Sequence, residues 1–346
     1  MNPRAALFVF LSLTSGSSVQ KAESASARDA NCFDLGKGER KCTFETTAST
    51  GESFTAASRI SFSLKQGTHD FVCSRQSGPE PDSSLHHWSG TCIGNGALEA
   101  NFLVHQVSGK EHLFGSINLG NEICRISPEA AAGESGMSKH NIICKSTNSF
   151  PPEAMPHGKE RRFLRTGSDP VRSRPSGERS LTETNPDIMV VWTTNAECRN
   201  SGFSRGCTLT SQTEANMRGM INLAVAETNG AYNYSGVGMQ LRLVHAFREP
   251  TYQEASIDAY STALHQITDP SDGVMDYIAA TRSEYGADLV AMIIDDSTYC
   301  GIAWVGPSRN YMFSVIGWMC ATGYYSFAHE TGHNMVRDSS FGHQTV

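Results

Sequence analysis

The rhythm of apolar and polar positions changes twice along the chain. Between residues 28 and 150 it alternates in short segments, such as Arg59-Ile-Ser-Phe-Ser-Leu64, Leu98-Glu-Ala-Asn-Phe-Leu-Val104 and Leu113-Phe-Gly-Ser-Ile-Asn-Leu119. Glycine, serine, proline and asparagine separate these segments, so a β-rich domain of short strands is expected. Over residues 151–186 the periodicity disappears. Pro151-Pro152 is followed by Lys159-Glu-Arg-Arg-Phe-Leu-Arg165 and then by Arg172, Arg174 and Arg179 among Gly and Ser. That composition predicts an exposed basic linker open to trypsin-like or furin-like processing.

From Asp187 the pattern becomes that of an α/β domain. Ile188–Trp192 is a continuous apolar run of buried-strand length, and so is Leu289–Ile294. Ser211-Gln-Thr-Glu214 reads as a capping box, opening a helix that carries Met217, Met220, Ile221 and Ala224 as far as Gly230. Met239–His245 alternates as a half-buried strand. A second helix is expected from Ser271 or Asp272 through Met275, Ile278 and Ala279 to Gly286. Two shorter strands, Gly301–Val305 and Tyr311–Ile316, precede a final helix opened by Ser326.

The fold class expected is therefore α+β to α/β. A β-rich domain over 28–150 and the linker over 151–186 lead to a domain over 187–346, built on a mixed twisted sheet with helices and ending close to its last helix. Residues 1–27 look like a leader. Arg4 precedes the short apolar run Ala5–Leu13, and Ala25-Ser-Ala27 offers a small-residue cleavage site. The run is too short to span a bilayer, so secretion without membrane insertion is expected.

Composition supports this and narrows it. The ten cysteines form an even set, as expected in an exported chain, and neighbour pairing is the simplest arrangement: 32–42, 73–92, 124–144, 198–207 and 300–320. No C-x-x-C spacing suggests a cysteine metal site. The net charge is −7 and no basic stripe appears, which argues against nucleic acid as a partner. From Asp187 onward 16 acidic residues face 8 arginines and no lysine. His86, His87, His105 and His112 are scattered and read as surface or structural residues.

The chemistry concentrates in His329-Glu330-Thr331-Gly332-His333. Histidines four apart on a helix share one face, so His329 and His333 are candidate ligands of a single Zn²⁺. Glu330 is the candidate general base acting on a zinc-bound water. Ser326 is expected to cap this helix, with Phe327, Ala328 and Met335 on its apolar side.

With these residues in place, the chain from Asp187 to Met335 resembles the reprolysin-like metzincins, and among them the secreted peptidyl-Asp metallopeptidase group. The likeness is carried by Leu223-Ala-Val-Ala-Glu-Thr-Asn229, Asp269-Pro-Ser-Asp-Gly273, Tyr285-Gly-Ala-Asp-Leu-Val290, Tyr299-Cys-Gly-Ile-Ala303 and above all Cys320–Glu330. The β-rich half, at Trp88–Cys92 and Leu113–Ile117, is more loosely similar to that group's propeptides. The resemblance implies a secreted zymogen whose C-terminal half is a zinc endopeptidase acting on proteins or peptides. It implies His329 and His333 as ligands, Glu330 as base, and a substrate strand added along Gly301–Val305. Six cysteines in the first half can all pair, so latency is expected without a thiol on the metal, and activation by cleavage between Lys159 and Arg179.

The family pattern continues H-E-x-x-H-x-x-G-x-x-H, with a third histidine as ligand. Here Val336 stands at the glycine position and Ser339 at the third-ligand position. Residues 336–346 are therefore expected not to continue the native domain. A folded chain that binds proteins without cutting them stays open as the alternative reading.

Overall fold

The computed structural model describes residues 11–14, 31–36, 39–46, 59–64, 69–75, 85–94, 96–107, 110–128, 138–154, 185–306 and 308–335. The expected leader (apart from residues 11–14), most of the basic linker and residues 336–346, with Ser339, lie outside this set. The chain forms two compact units. The first comprises Met1–Phe150, Thr210–Ala226 and Thr322–Tyr324. The second comprises Pro151–Leu209, Glu227–Ala321 and Tyr325–Val346.

In the first unit ten strands form one sheet: β1 (Leu11–Thr14), β2 (Asn31–Gly36), β3 (Glu39–Thr46), β4 (Arg59–Leu64), β5 (His69–Arg75), β6 (Leu85–Gly94), β7 (Gly96–Val107), β8 (Lys110–Asn118), β9 (Glu122–Pro128) and β10 (Ser138–Ser146). Their order is β1-β4-β5-β6-β7-β8-β9-β10-β3-β2, antiparallel throughout. All three strands expected from alternation are present. Cys124 and Cys144 face each other across β9 and β10 and are bonded. The same register sets Cys32 opposite Cys42 and Cys73 opposite Cys92. Leu103, Phe114 and Leu223 cluster on the sheet, and Asn216 donates to the Pro128 carbonyl at 3.3 Å.

The second unit holds a five-stranded sheet in the order β12-β11-β13-β15-β14. Its strands are β11 (Asp187–Thr193), β12 (Arg242–Glu249), β13 (Leu289–Ile294), β14 (Gly301–Ala303) and β15 (Phe313–Gly317). All neighbours run parallel except the β14–β15 pair. The chain is thus a mixed α+β protein with one antiparallel and one mixed sheet. Burial explains the sequence patterns. Every residue of β11 and β13 is buried, because both lie inside the sheet and are covered on both faces. Edge strand β12 is mostly half buried, with only Ala246 and Glu249 fully covered.

Helix α1 (Thr194–Asn200) is capped by Thr193, whose hydroxyl accepts from Ala196 N–H at 3.1 Å. Helix α2 spans Ser211–Tyr234. Its reciprocal cap sits one residue earlier than the sequence suggests. Thr210 Oγ1 accepts from Thr213 N–H at 3.1 Å, and Thr213 Oγ1 accepts from Thr210 N–H at 2.9 Å. Glu214 is released to pair with Arg218 one turn on, at 2.8 Å. The helix also passes through Gly230.

Two further expectations shift. Strand β12 starts at Arg242 rather than Met239, because Asn185 and Asn229 side chains bind the Gln240 and Leu241 backbone just before it. The helix expected from Ser271 begins only at Ile278, as α4 (Ile278–Glu284). Carboxylates of Asp269, Asp272 and Asp276 accept from nearby N–H groups, and Gly273 and Met275 adopt positive φ. That chemistry favours turns over helix. Helix α3 (Ala259–Thr268) was not foreseen. Its buried stripe of Ala259, Tyr260, Ala263, Leu264 and Ile267 is helical in spacing but diluted by serine, threonine and tyrosine. Disulfides Cys198–Cys207 and Cys300–Cys320 close two loops of this unit, as neighbour pairing predicts. No described helix is long and apolar enough to cross a membrane.

Candidate active site

Helix α5 (Ser326–Met335) carries the motif. Tyr325, in the left-handed region at φ 65°, turns the chain into it, and its carbonyl accepts from His329 N–H at 2.9 Å. The far end is anchored by Asn334. Its Nδ2 donates to the carbonyls of Trp304 at 2.9 Å and Phe313 at 3.0 Å, tying α5 to the end of β14 and the start of β15. Gly306 N–H also donates to His333 C=O at 3.0 Å. The C-terminal end of the helix is thus held against the antiparallel edge of the sheet.

A spacing of four residues on this helix brings the two histidines together. Their Nε2 atoms converge to 2.9 Å, with the rings edge to face. A tetrahedral ion bound at ~2.0–2.1 Å by two imidazoles separates their nitrogens by ~3.3 Å. The pair therefore fits a single small divalent metal after opening by a few tenths of an ångström. Burial, and then the neighbouring His329 ring, hold the His333 pKa below its ordinary value. That favours the neutral imidazole, the form that ligates metals. Among the described residues no group of three or more His, Cys, Asp or Glu side chains is placed to hold a metal ion.

Glu330, between the two histidines in sequence, is fully buried. Its carboxyl is pushed up to about 10, first by burial and then by the carboxylate of Glu153 beside it. Neither oxygen of Glu330 meets a hydrogen-bond donor, nor does Oε2 of Glu153. Two carboxylates cannot donate to one another, so the contact becomes a hydrogen bond only when a proton is shared between them. A carboxyl raised this far keeps its proton at neutral pH in the metal-free chain, and a cation held beside it would lower it toward the range that a general base needs.

Three residues around this centre carry no signal in the motif. Gly301 on β14 lies so close to Glu330 that a Cβ added there would meet Cγ at 2.5 Å and Oε1 at 2.6 Å. Ser326 was expected to cap α5. It is the first residue of the helix, and its hydroxyl donates to Glu153 Oε1 at 2.5 Å. Glu153 itself falls in the stretch read as exposed linker, yet residues 151–154 are ordered against β14 through hydrogen bonds at Pro152 and Ala154. Only the glycine in Tyr299-Cys-Gly-Ile-Ala303 could have hinted at a close approach.

Comparison with known proteins bears on this segment. The family described as metallo-peptidase family M12B, reprolysin-like, matches residues 219–338. A peptidyl-Asp metalloendopeptidase of Stenotrophomonas maltophilia is 41% identical over 119 residues, covering 34% of this chain and 28% of the relative. One from Xanthomonas campestris pv. campestris gives the same figures. One from Pseudomonas aeruginosa is 29% identical over 171 residues, covering 43% and 24% respectively. The chain thus spans less than a third of the length of these relatives. Residues 219–338, with the helix that carries both histidines, are thus similar to the reprolysin-like metallopeptidases.

Proposed function

We propose that the chain is a secreted zinc metalloendopeptidase zymogen, acting on proteins or peptides. The observation that carries this reading is the convergence of the His329 and His333 Nε2 atoms at 2.9 Å beside a buried Glu330, inside the segment that matches the family. His329 and His333 would hold the metal. Zinc, when bound, polarises a carbonyl as a Lewis acid and lowers the pKa of water from about 15.7 toward ~7. Glu330 takes the proton of the attacking water on a carboxylate oxygen and passes it to the leaving amine. Its burial keeps bulk water from competing, and a divalent cation held beside it would favour the carboxylate form that accepts the proton. Extended substrate is bound along β14 by main-chain hydrogen bonds. The even cysteine set and the apolar run after Arg4 support secretion, and the basic stretch within 151–186 supports activation by processing. The relatives' name supports cleavage beside aspartate as a first substrate to try.

The test is hydrolysis of a casein substrate by the full chain, with and without a chelator, beside Glu330→Ala. Loss of the base should lower the rate by at least ~10²-fold. Activity that survives both treatments would end the peptidase reading. A second reading is favoured by Val336 and Ser339 at the glycine and third-ligand positions. In it the chain binds proteins and does not cut them. One bound zinc per chain with no cleavage of any peptide would favour that reading, and slow chelator-sensitive cleavage would remove it.

A further inference from the structure

Strand β14 ends its sheet, so one of its edges faces no other strand of that sheet. Its register against β15 decides which groups point outward. Cys300 C=O accepts from Gly317 N–H at 2.8 Å, and Trp304 N–H donates to Phe313 C=O at 3.3 Å. In an antiparallel pair the bonded positions alternate, so Gly301 and Ala303, opposite Ile316 and Ser314, turn their main-chain groups away from β15. Part of this outer edge is covered by the chain itself. Ala154 N–H donates to Gly301 C=O at 2.8 Å, and Cys300 N–H donates to Pro152 C=O at 2.9 Å.

Between those two residues stands Glu153. Its Oε1 accepts from the Ser326 hydroxyl at 2.5 Å, and its carboxylate lies beside that of Glu330. Pro151 and Pro152 restrict the segment to extended backbone, so less entropy is lost when it lies along the strand. A short extended segment bonded to an open sheet edge is how peptides add to a sheet. What this segment presents to Glu330, however, is a side-chain carboxylate. It offers no amide bond to hydrolyse, and its charge opposes an approaching anion.

We propose that Pro151–Ala154 is a built-in inhibitor of the site, seated on the outer edge of β14 with the Glu153 side chain covering Glu330. The inference rests on the peptidase reading and adds the means of its latency. Because the segment is covalently attached, its effective concentration at the site is in the millimolar range, so two main-chain bonds and one side-chain contact hold it in place. A thiol on the metal is not needed. Glu153 acts by position, through the shape and charge it sets against Glu330.

Two measurements on the zinc-loaded full chain decide the matter, with wild type beside Glu153→Ala. The first is hydrolysis of an internally quenched peptide library. The second is amide hydrogen exchange across Cys300–Val305, which reads the Cys300 N–H bond to Pro152 without reference to activity. Losing a hydrogen bond to a charged group should raise both by at least about tenfold. Faster exchange with no hydrolysis by either chain supports the strap and removes the peptidase reading. Unchanged exchange overturns the inference whatever hydrolysis does, and leaves the peptidase reading to stand or fall on the wild-type rate. Faster exchange with an unchanged rate in an active chain also overturns it. If the alanine chain fails to fold, Glu153→Asp, shorter by one methylene, carries the same test in the same direction.

Discussion

Replacing Gly301 by alanine should damage the candidate site without touching any group of the motif. The new Cβ would stand 2.5 Å from Glu330 Cγ, 2.6 Å from Oε1 and 2.9 Å from Cδ. Carbon atoms in contact sit ~3.5–4.0 Å apart, so Glu330 and the strand must separate by about 1 Å. Strand β14 has little freedom to move. Cys300 C=O is bonded to Gly317, Gly301 C=O to Ala154 and Trp304 N–H to Phe313. The buried Glu330 side chain has no solvent to swing into. Overpacking of this kind costs ~1–3 kcal/mol of stability, and a base displaced by ~1 Å loses on the order of 10²-fold in rate. Urea unfolding of the full chain measures the first, and initial rates on peptide measure the second. Gly332→Ala in α5 is the control. Nothing lies within 4 Å of its added Cβ, so it should gain up to about 1 kcal/mol from helix propensity. Adding Glu330→Ala to Gly301→Ala should return most of the lost stability, since the colliding atoms are gone. An alanine at 301 that leaves both unfolding and rate unchanged would refute the close packing of Gly301 on Glu330.

Three more outcomes are expected. Glu330 has its folded pKa raised from 4.5 to about 10, so its contribution is complete below ~4.5 and is lost as pH rises toward 10. Glu330→Gln should therefore stabilise the metal-free chain at pH 8 more than at pH 5, and parallel urea curves at the two pH values would contradict this. Arg248 donates to both oxygens of the fully buried Glu197, at 3.0 and 3.1 Å. Arg248→Met should cost roughly 3–5 kcal/mol in urea unfolding, because it takes a cation bonded to both oxygens away from a buried carboxylate. Asn334→Ala removes the donor to two buried carbonyls, and should cost ~2–4 kcal/mol and weaken zinc binding measured by a competing chelator dye.

The sequence reads well wherever the signal is local. The runs at Ile188–Trp192 and Leu289–Ile294 became fully buried central strands, because a strand covered on both faces must be apolar at every position. The disulfides 124–144, 198–207 and 300–320 followed from neighbour pairing. Reading failed where short-range chemistry competed with periodicity. The stretch from Ser271 to Tyr277 looked helical by its apolar spacing, but carboxylates of Asp269, Asp272 and Asp276 bind nearby backbone N–H groups and hold a turn. Helix α3 was hidden because its buried face mixes tyrosine and alanine with serine and threonine.

By itself the sequence determined that two histidines share a helix face with a glutamate between them, since a spacing of four residues is a property of the helix alone. It could not determine what faces that helix. The placing of Gly301 against Glu330, the bonds from Asn334 to two strands, and the meeting of Glu153 with Ser326 across 173 residues all depend on how the sheet edge folds onto the helix. No periodicity encodes such contacts. They form because burying apolar faces sets the strands and helices in one arrangement, and the polar groups carried along must then satisfy whatever neighbours that arrangement provides.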